Sequence, residues 1–155
     1  MSKALRAIFA TLDQLFSSCE IDYELLQSQK VTTAWLGDYS NQRVVNSFLF
    51  NYIKIQDKFG ASLYRRLLFS LREIDNEKLP MIDILNRLEK LGIIESVAAW
   101  DRLREIRNVI AHEYPSDSEE RLENIALAMR GFEQLKSLFA HIKQYARLKG
   151  LLESH

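Results

Sequence analysis

One short stretch of this sequence gathers side chains able to act on a phosphate ester. Within residues 100–115, Arg104, Arg107, Asn108, His112 and Tyr114 read R-x-x-R-N-x-x-x-H-x-Y. Histidine is the side chain whose ordinary pKa lets it take and give protons near neutrality. Arginine is a fixed cation whose planar fork matches two phosphate oxygens. Together they can break an RNA strand: His112 deprotonates a ribose 2′-hydroxyl or protonates the leaving 5′-oxygen. Arg107 stabilises the charge that develops on phosphorus. Asn108 orients His112 or contacts phosphate, and the ends left behind are a 2′,3′-cyclic phosphate and a 5′-hydroxyl.

Geometry limits this reading. At about 100° per residue, Arg104, Asn108 and His112 form one polar row on a helix, whereas Arg107 points about 140° away from His112. Two arrangements reconcile them. Pro115 disfavours helix at Tyr114 and loosens the turn that holds His112. Alternatively, two copies of the segment face each other across a dimer axis and share one cleft. The second is favoured, because the row is polar where a bundle helix would gain from apolar residues. The plain alternative is a solvated helix face, with a histidine near a helix C-terminus favoured by the dipole and Tyr114 packing at the helix end. Spacing alone leaves these readings open.

Composition narrows the partners. Lys plus Arg and Asp plus Glu are 21 each, so the formal net charge is zero. That argues against a protein that coats nucleic acid by bulk charge, and any RNA contact must come from a local basic patch. Cys19 is the single cysteine and reads as a small buried hydrophobe. The three histidines, His112, His141 and His155, are spread widely, so a structural zinc site is not expected. The N-terminal apolar run is interrupted by Asp13 and Gln14, and no stretch is long enough for a membrane span. The expectation is a cytoplasmic protein with no membrane partner.

The elements that must position these residues are helical. Phe48, Tyr52, Ile55 and Phe59 recur at helical spacing, as do Ile82, Leu85, Leu88 and Leu91. Trp100, Leu103, Ile106 and Ile110 form a third stripe, and Leu122, Ile125, Met129, Phe132, Leu135 and Phe139 a fourth. No segment alternates with period two. The pattern predicts an all-α, up-and-down bundle with helices over 3–34 (with a break at Ser17-Ser18), 40–75 (bent at Gly60), 80–91, 96–113 and 117–149. Ser116 or Asp117 caps the last helix, and Gly92 stops the third. Gly131 is the exception among the glycines, since it stands inside a strong helical pattern where it costs about 1 kcal/mol relative to alanine. Trp35 and Trp100 read as core or interface anchors.

The motif at Arg107, His112 and Tyr114 resembles the Arg-x4-His-x-Tyr motif of HEPN proteins (higher eukaryotes and prokaryotes nucleotide-binding). In particular it is similar to the HEPN toxins encoded beside a minimal nucleotidyltransferase (MNT) antitoxin. The resemblance extends upstream through IQDKFGASLYRRLL and MIDILNRLEKLGIIESVAAWDRLREIRNVIAHEYP. It implies a single HEPN-like helical domain over 1–155 that forms a homodimer with both motifs at the interface. It implies a metal-independent endoribonuclease toxin without a cofactor, with Arg107 and His112 catalytic and Asn108 and Arg104 supporting. It also implies neutralisation by the MNT partner, which transfers AMP from ATP to Tyr114. Some family members are directed at tRNA. Two further readings stay open: a non-catalytic HEPN module that binds nucleotide or the partner nucleotidyltransferase, and a helical dimerisation scaffold.

Overall fold

In the computed structural model, which describes residues 2–112 and 117–153, five helices begin where a short polar side chain caps them. The Ser2 hydroxyl accepts from the Leu5 amide and opens α1, Lys3–Ser28. Thr32 caps a single turn, α2, Thr33–Leu36, and Asp38 caps α3, Tyr39–Lys58. A π-helical turn, Phe59–Leu63, runs on into α4, Tyr64–Ser70. Pro80 precedes α5, Met81–Lys90, and Ser96 caps α6, Val97–His112, by accepting from the Ala99 amide at 3.0 Å. Asp117 caps α7, Ser118–Leu148, accepting from the Glu119 amide at 3.0 Å. These caps satisfy amides that have no partner inside the helix. There is no strand among the described residues, and the protein is an all-α bundle.

The helices break close to the predicted places, with informative differences. α1 is continuous through Ser17 and Ser18, because both serines face solvent and neither competes for the backbone. Its expected extension to residue 34 is replaced by a stop at Ser28 and the separately capped α2. Gly92 adopts φ 73°, and the Ile93 amide returns to the Leu88 carbonyl at 2.9 Å, the usual glycine stop. α4 ends in the same loop-back, Glu73 amide to Leu68 carbonyl at 2.9 Å, but with Arg72 at φ 61°. The predicted helix to residue 75 therefore stops at Ser70, since an arginine occupies the left-handed position. At Gly60, where the sequence predicts a bend, the chain passes through the π-helical turn, the form in which one extra residue enters a helix.

The core joins α1, α3 and α7. Leu5, Leu12, Cys19, Phe48, Tyr52, Ile55, Phe59, Phe132 and Leu135 have no exposed surface. An aromatic ladder runs through it, with Phe16 against Phe139 at 4.8 Å between ring centres and Tyr23 against Phe132 at 5.1 Å. Phe59 extends the ladder to Trp100 of α6, which also meets Tyr64 edge-on at 4.8 Å. Trp100 is a core residue, and Trp35 is half-buried against the core. Burial pushes the Cys19 thiol well above its ordinary range, with the charges of Asp22 and Glu20 adding to it, as suits a small core residue. In α5 the buried stripe is Ile84, Leu85 and Leu88, whereas Ile82, expected inside, is 54% exposed.

Gly131 is explained by Tyr52. A Cβ at position 131 would overlap the Tyr52 hydroxyl and lie 3.0 Å from its Cζ. The tyrosine crosses directly onto the backbone of α7, and only glycine leaves it room. Among the described residues, no helix is long and apolar enough to cross a membrane.

Candidate functional site

The position of the site follows from how α6 lies against α3. Stacking of Trp100 on Phe59 anchors the start of α6. From there the positions turned toward the bundle are Trp100, Leu103, Ile106, Arg107 and Ile110. Trp100 and Leu103 are buried, and Ile106 and Ile110 are partly buried against the core. Arg107 thus occupies a place in the inward seam, and its side chain is 28% exposed.

What holds it there is Asp57 on α3. Arg107 Nε donates to Asp57 Oδ1 and Nη2 donates to Oδ2, both at 2.8 Å. This is the bidentate, charge-assisted geometry that fixes a guanidinium plane as well as its charge. The hydrogen bonds to Asp57 raise the Arg107 pKa, burial opposes them, and the Asp57 charge adds to the rise. A guanidinium has five N–H groups. Asp57 engages it side-on through two of them, leaving both Nη1 hydrogens and one on Nη2. That free edge is a fork that a second oxyanion can enter.

Asp57 was not singled out in the sequence. A signal for it exists: between residues 39 and 72 it is the only acid, beside Arg43, Lys54, Lys58, Arg65, Arg66 and Arg72. A lone carboxylate in so basic a stretch is a candidate partner for a cation elsewhere. Which cation, fifty residues away, is settled only by the packing of α3 on α6.

The remaining predicted residues lie on the outer side of α6. Arg104 is exposed and pairs with Asp101, one turn back, at 3.3 Å. Asn108 is exposed, and His112, the last residue of the helix, is exposed as well. The three form the solvent-facing polar row that their spacing requires. Because α6 is regular through His112, Arg107 and His112 diverge by about 140° within one chain. The structure brings Arg107 to Asp57, and it does not aim Arg107 and His112 at one point. Tyr114, and Ser116 as an alternative cap, lie outside the described residues.

Beyond the end of α6, α7 is tied back to α3, where Arg121 Nη2 donates to Asn46 Oδ1 at 3.0 Å. One edge of α3 is therefore flanked by Arg121 near its start and by Arg107 near its end. On the other side of α6 a cleft of about 680 Å³ is lined by Trp100, Arg102, Leu103, Glu133 and His141. Two of its polar groups are engaged within the fold: His141 Nε2 lies 2.8 Å from the Gly92 carbonyl, and Glu133 accepts from the Tyr23 hydroxyl. Burial and that hydrogen bond to Glu133 push the Tyr23 phenol up to about 12. Among the described residues, no three His, Cys, Asp or Glu side chains cluster as a metal site would require.

No protein-family model, curated protein or solved structure matches the chain.

Proposed function

We propose that the chain is a metal-independent endoribonuclease toxin of the HEPN kind, with Arg107 and His112 as its catalytic pair. The observation that carries this reading is Arg107 itself. It is a cation on an inward-facing seam, clamped side-on by Asp57 with a free edge for phosphate, on the helix that ends in the exposed His112. A purely structural α6 would gain more from an apolar residue there.

The divergence of Arg107 and His112 within one chain favours a homodimer, in which two copies of the 100–114 segment face one another and supply one cleft. His112 of one protomer takes the 2′-hydroxyl proton, the 2′-oxygen bonds to phosphorus, and the P–O5′ bond breaks. The other protomer's imidazole returns a proton to the 5′-oxygen. Arg107 neutralises the non-bridging oxygens throughout. In this reading Arg104 and Asn108 line the cleft. The MNT antitoxin silences the enzyme by transferring AMP from ATP to the Tyr114 hydroxyl with release of pyrophosphate, which places bulk and negative charge two residues from His112.

A second reading, a non-catalytic HEPN module that binds nucleotide or the partner nucleotidyltransferase, draws on the same ion pair, because Asp57 already balances the Arg107 charge. Induced expression in a bacterial host separates the two. A toxin arrests growth, His112→Ala relieves the arrest, and co-expressed MNT partner relieves it while adding AMP mass that Tyr114→Phe abolishes. Arrest that persists in His112→Ala removes His112 from the mechanism, and absence of arrest favours the module.

A further inference from the structure

The solvent face of α3 has an organisation that core packing does not explain. At about 100° per residue, Tyr39, Arg43, Asn46, Phe50, Lys54 and Asp57 fall within a strip about 80° wide. That strip lies opposite the core positions Val45, Phe48, Tyr52, Ile55 and Phe59. It holds two of the most exposed large side chains of the protein, Tyr39 at 73% and Phe50 at 59%. Each is followed four residues later by a cation, Arg43 and Lys54, and Lys54 Nζ lies 4.7 Å from the Phe50 ring centre. The only acid on the strip is Asp57, and Arg107 matches its charge. The strip ends at the candidate site: Phe50 to Asp57 is a rise of about 10 Å, and Tyr39 to Phe50 about 16 Å.

We propose that this face of α3 is the substrate track, binding unpaired RNA that leads to Arg107. Bases stack on Tyr39 and Phe50, whose ring faces accept any base once it is out of a duplex. Phosphates pair with Arg43 and Lys54 and then reach the free edge of Arg107. The inference rests on the ribonuclease reading of Arg107 and His112, and it names the residues that deliver the strand to them. It also shows how a chain of zero net charge offers RNA a locally basic surface, since the strip carries Arg43 and Lys54 while its one acid, Asp57, is matched by Arg107. A second copy is the other candidate occupant. Charge disfavours it: the strip's one acid, Asp57, is already matched by Arg107, so a second copy of this face offers Arg43 and Lys54 no unpaired carboxylate.

The test separates binding from cleavage. A fluorescent 2′-O-methyl oligoribonucleotide of about twelve unpaired nucleotides, within the range one such surface spans, cannot be cleaved and reports affinity by anisotropy. Phe50→Ala and Tyr39→Ala are each expected to weaken binding about tenfold. Arg43→Glu combined with Lys54→Glu is expected to weaken it about a hundredfold and to flatten its salt dependence. All four positions are exposed, so unchanged melting curves verify that the variants fold. Affinities within twofold of wild type overturn the track, as does a wild type that fails to bind the oligonucleotide at low salt. Light scattering in which Phe50→Ala splits a dimer into monomers also overturns it and assigns the face to a second copy. If native RNA is cut in a His112-dependent way while the α3 variants bind normally, the track fails and the ribonuclease reading stands. If the α3 variants lose binding in a chain that cuts nothing, the track stands and the ribonuclease reading fails.

Discussion

Along α3 the positions facing the bundle are Val45, Phe48, Tyr52, Ile55 and Phe59, and none has exposed surface. Along α6 the corresponding seam holds Trp100, Leu103, Ile106, Arg107 and Ile110, and only the first two are buried. Both helices obey the same spacing rule, and α6 departs from it at one position. The departure is compensated locally, because Asp57 meets the guanidinium with two hydrogen bonds of 2.8 Å. A partly exposed ion pair of this kind adds little to stability, whereas a buried apolar side chain contributes about 1.5–3 kcal/mol. The α3 stripe is what stability alone produces. A cation kept in the α6 stripe and held by Asp57 is the departure that the proposed anion site accounts for.

Making the second stripe resemble the first should have the largest effect. Arg107→Leu completes the apolar seam, so the variant is expected to melt no lower than wild type. RNA cleavage should fall by about a thousandfold, the upper range for removing a group that stabilises developing charge. Cleavage within tenfold of wild type would show that Arg107 is structural.

The next largest effect lies in the core, at the contact of Tyr52 with α7. Gly131→Ala improves helix propensity by about 1 kcal/mol, yet its Cβ has no room beside the Tyr52 ring. Overpacking should outweigh propensity and leave a net loss of about 1–2 kcal/mol in denaturant unfolding. Adding Tyr52→Phe should recover part of the loss. The Tyr52 hydroxyl is buried without a hydrogen-bond partner, so removing it relieves the clash and sacrifices no bond. A stabilised Gly131→Ala variant would mean that Tyr52 does not lie against α7.

Asp57→Asn sharpens the comparison from the other side. Asparagine offers one acceptor where the carboxylate offers two, so the Arg107 plane is held less firmly. Cleavage should fall about tenfold with little change in melting, as expected for a positioning residue. A faster variant would show that Asp57 competes with phosphate and restrains the site.

The smallest effect concerns a helix stop. Arg72→Gly relaxes a left-handed residue at φ 61° and should add up to about 1 kcal/mol. Unchanged stability would indicate that the surrounding loop already accommodates the arginine.

These cases also mark how far the sequence could be read. Features set by neighbours along the chain were legible. The apolar stripes of α3 and α7, the stop at Gly92, the Asp117 cap and the buried Cys19 all lie where spacing and residue type place them. Gly131 was legible as an anomaly, although its cause is a tyrosine on another helix. The end of α4 was hidden because Arg72 stands where two other helix ends use Gly92 and Gly150. Ile82 was misassigned because α5 has several apolar residues and packing selects among them. At the site, the outer row of Arg104, Asn108 and His112 was legible from its spacing of four. The inward setting of Arg107 and its bond to Asp57 depend on the packing of two helices that spacing along the chain does not report.

Incubation of total RNA with purified protein in EDTA, with wild type beside His112→Ala and the fragment ends mapped, decides whether His112 cuts RNA without a metal. Fragments bearing 2′,3′-cyclic phosphates and 5′-hydroxyls are expected with wild type, and intact RNA with the folded variant. Equal cutting by the two proteins, or no cutting by wild type, would contradict it.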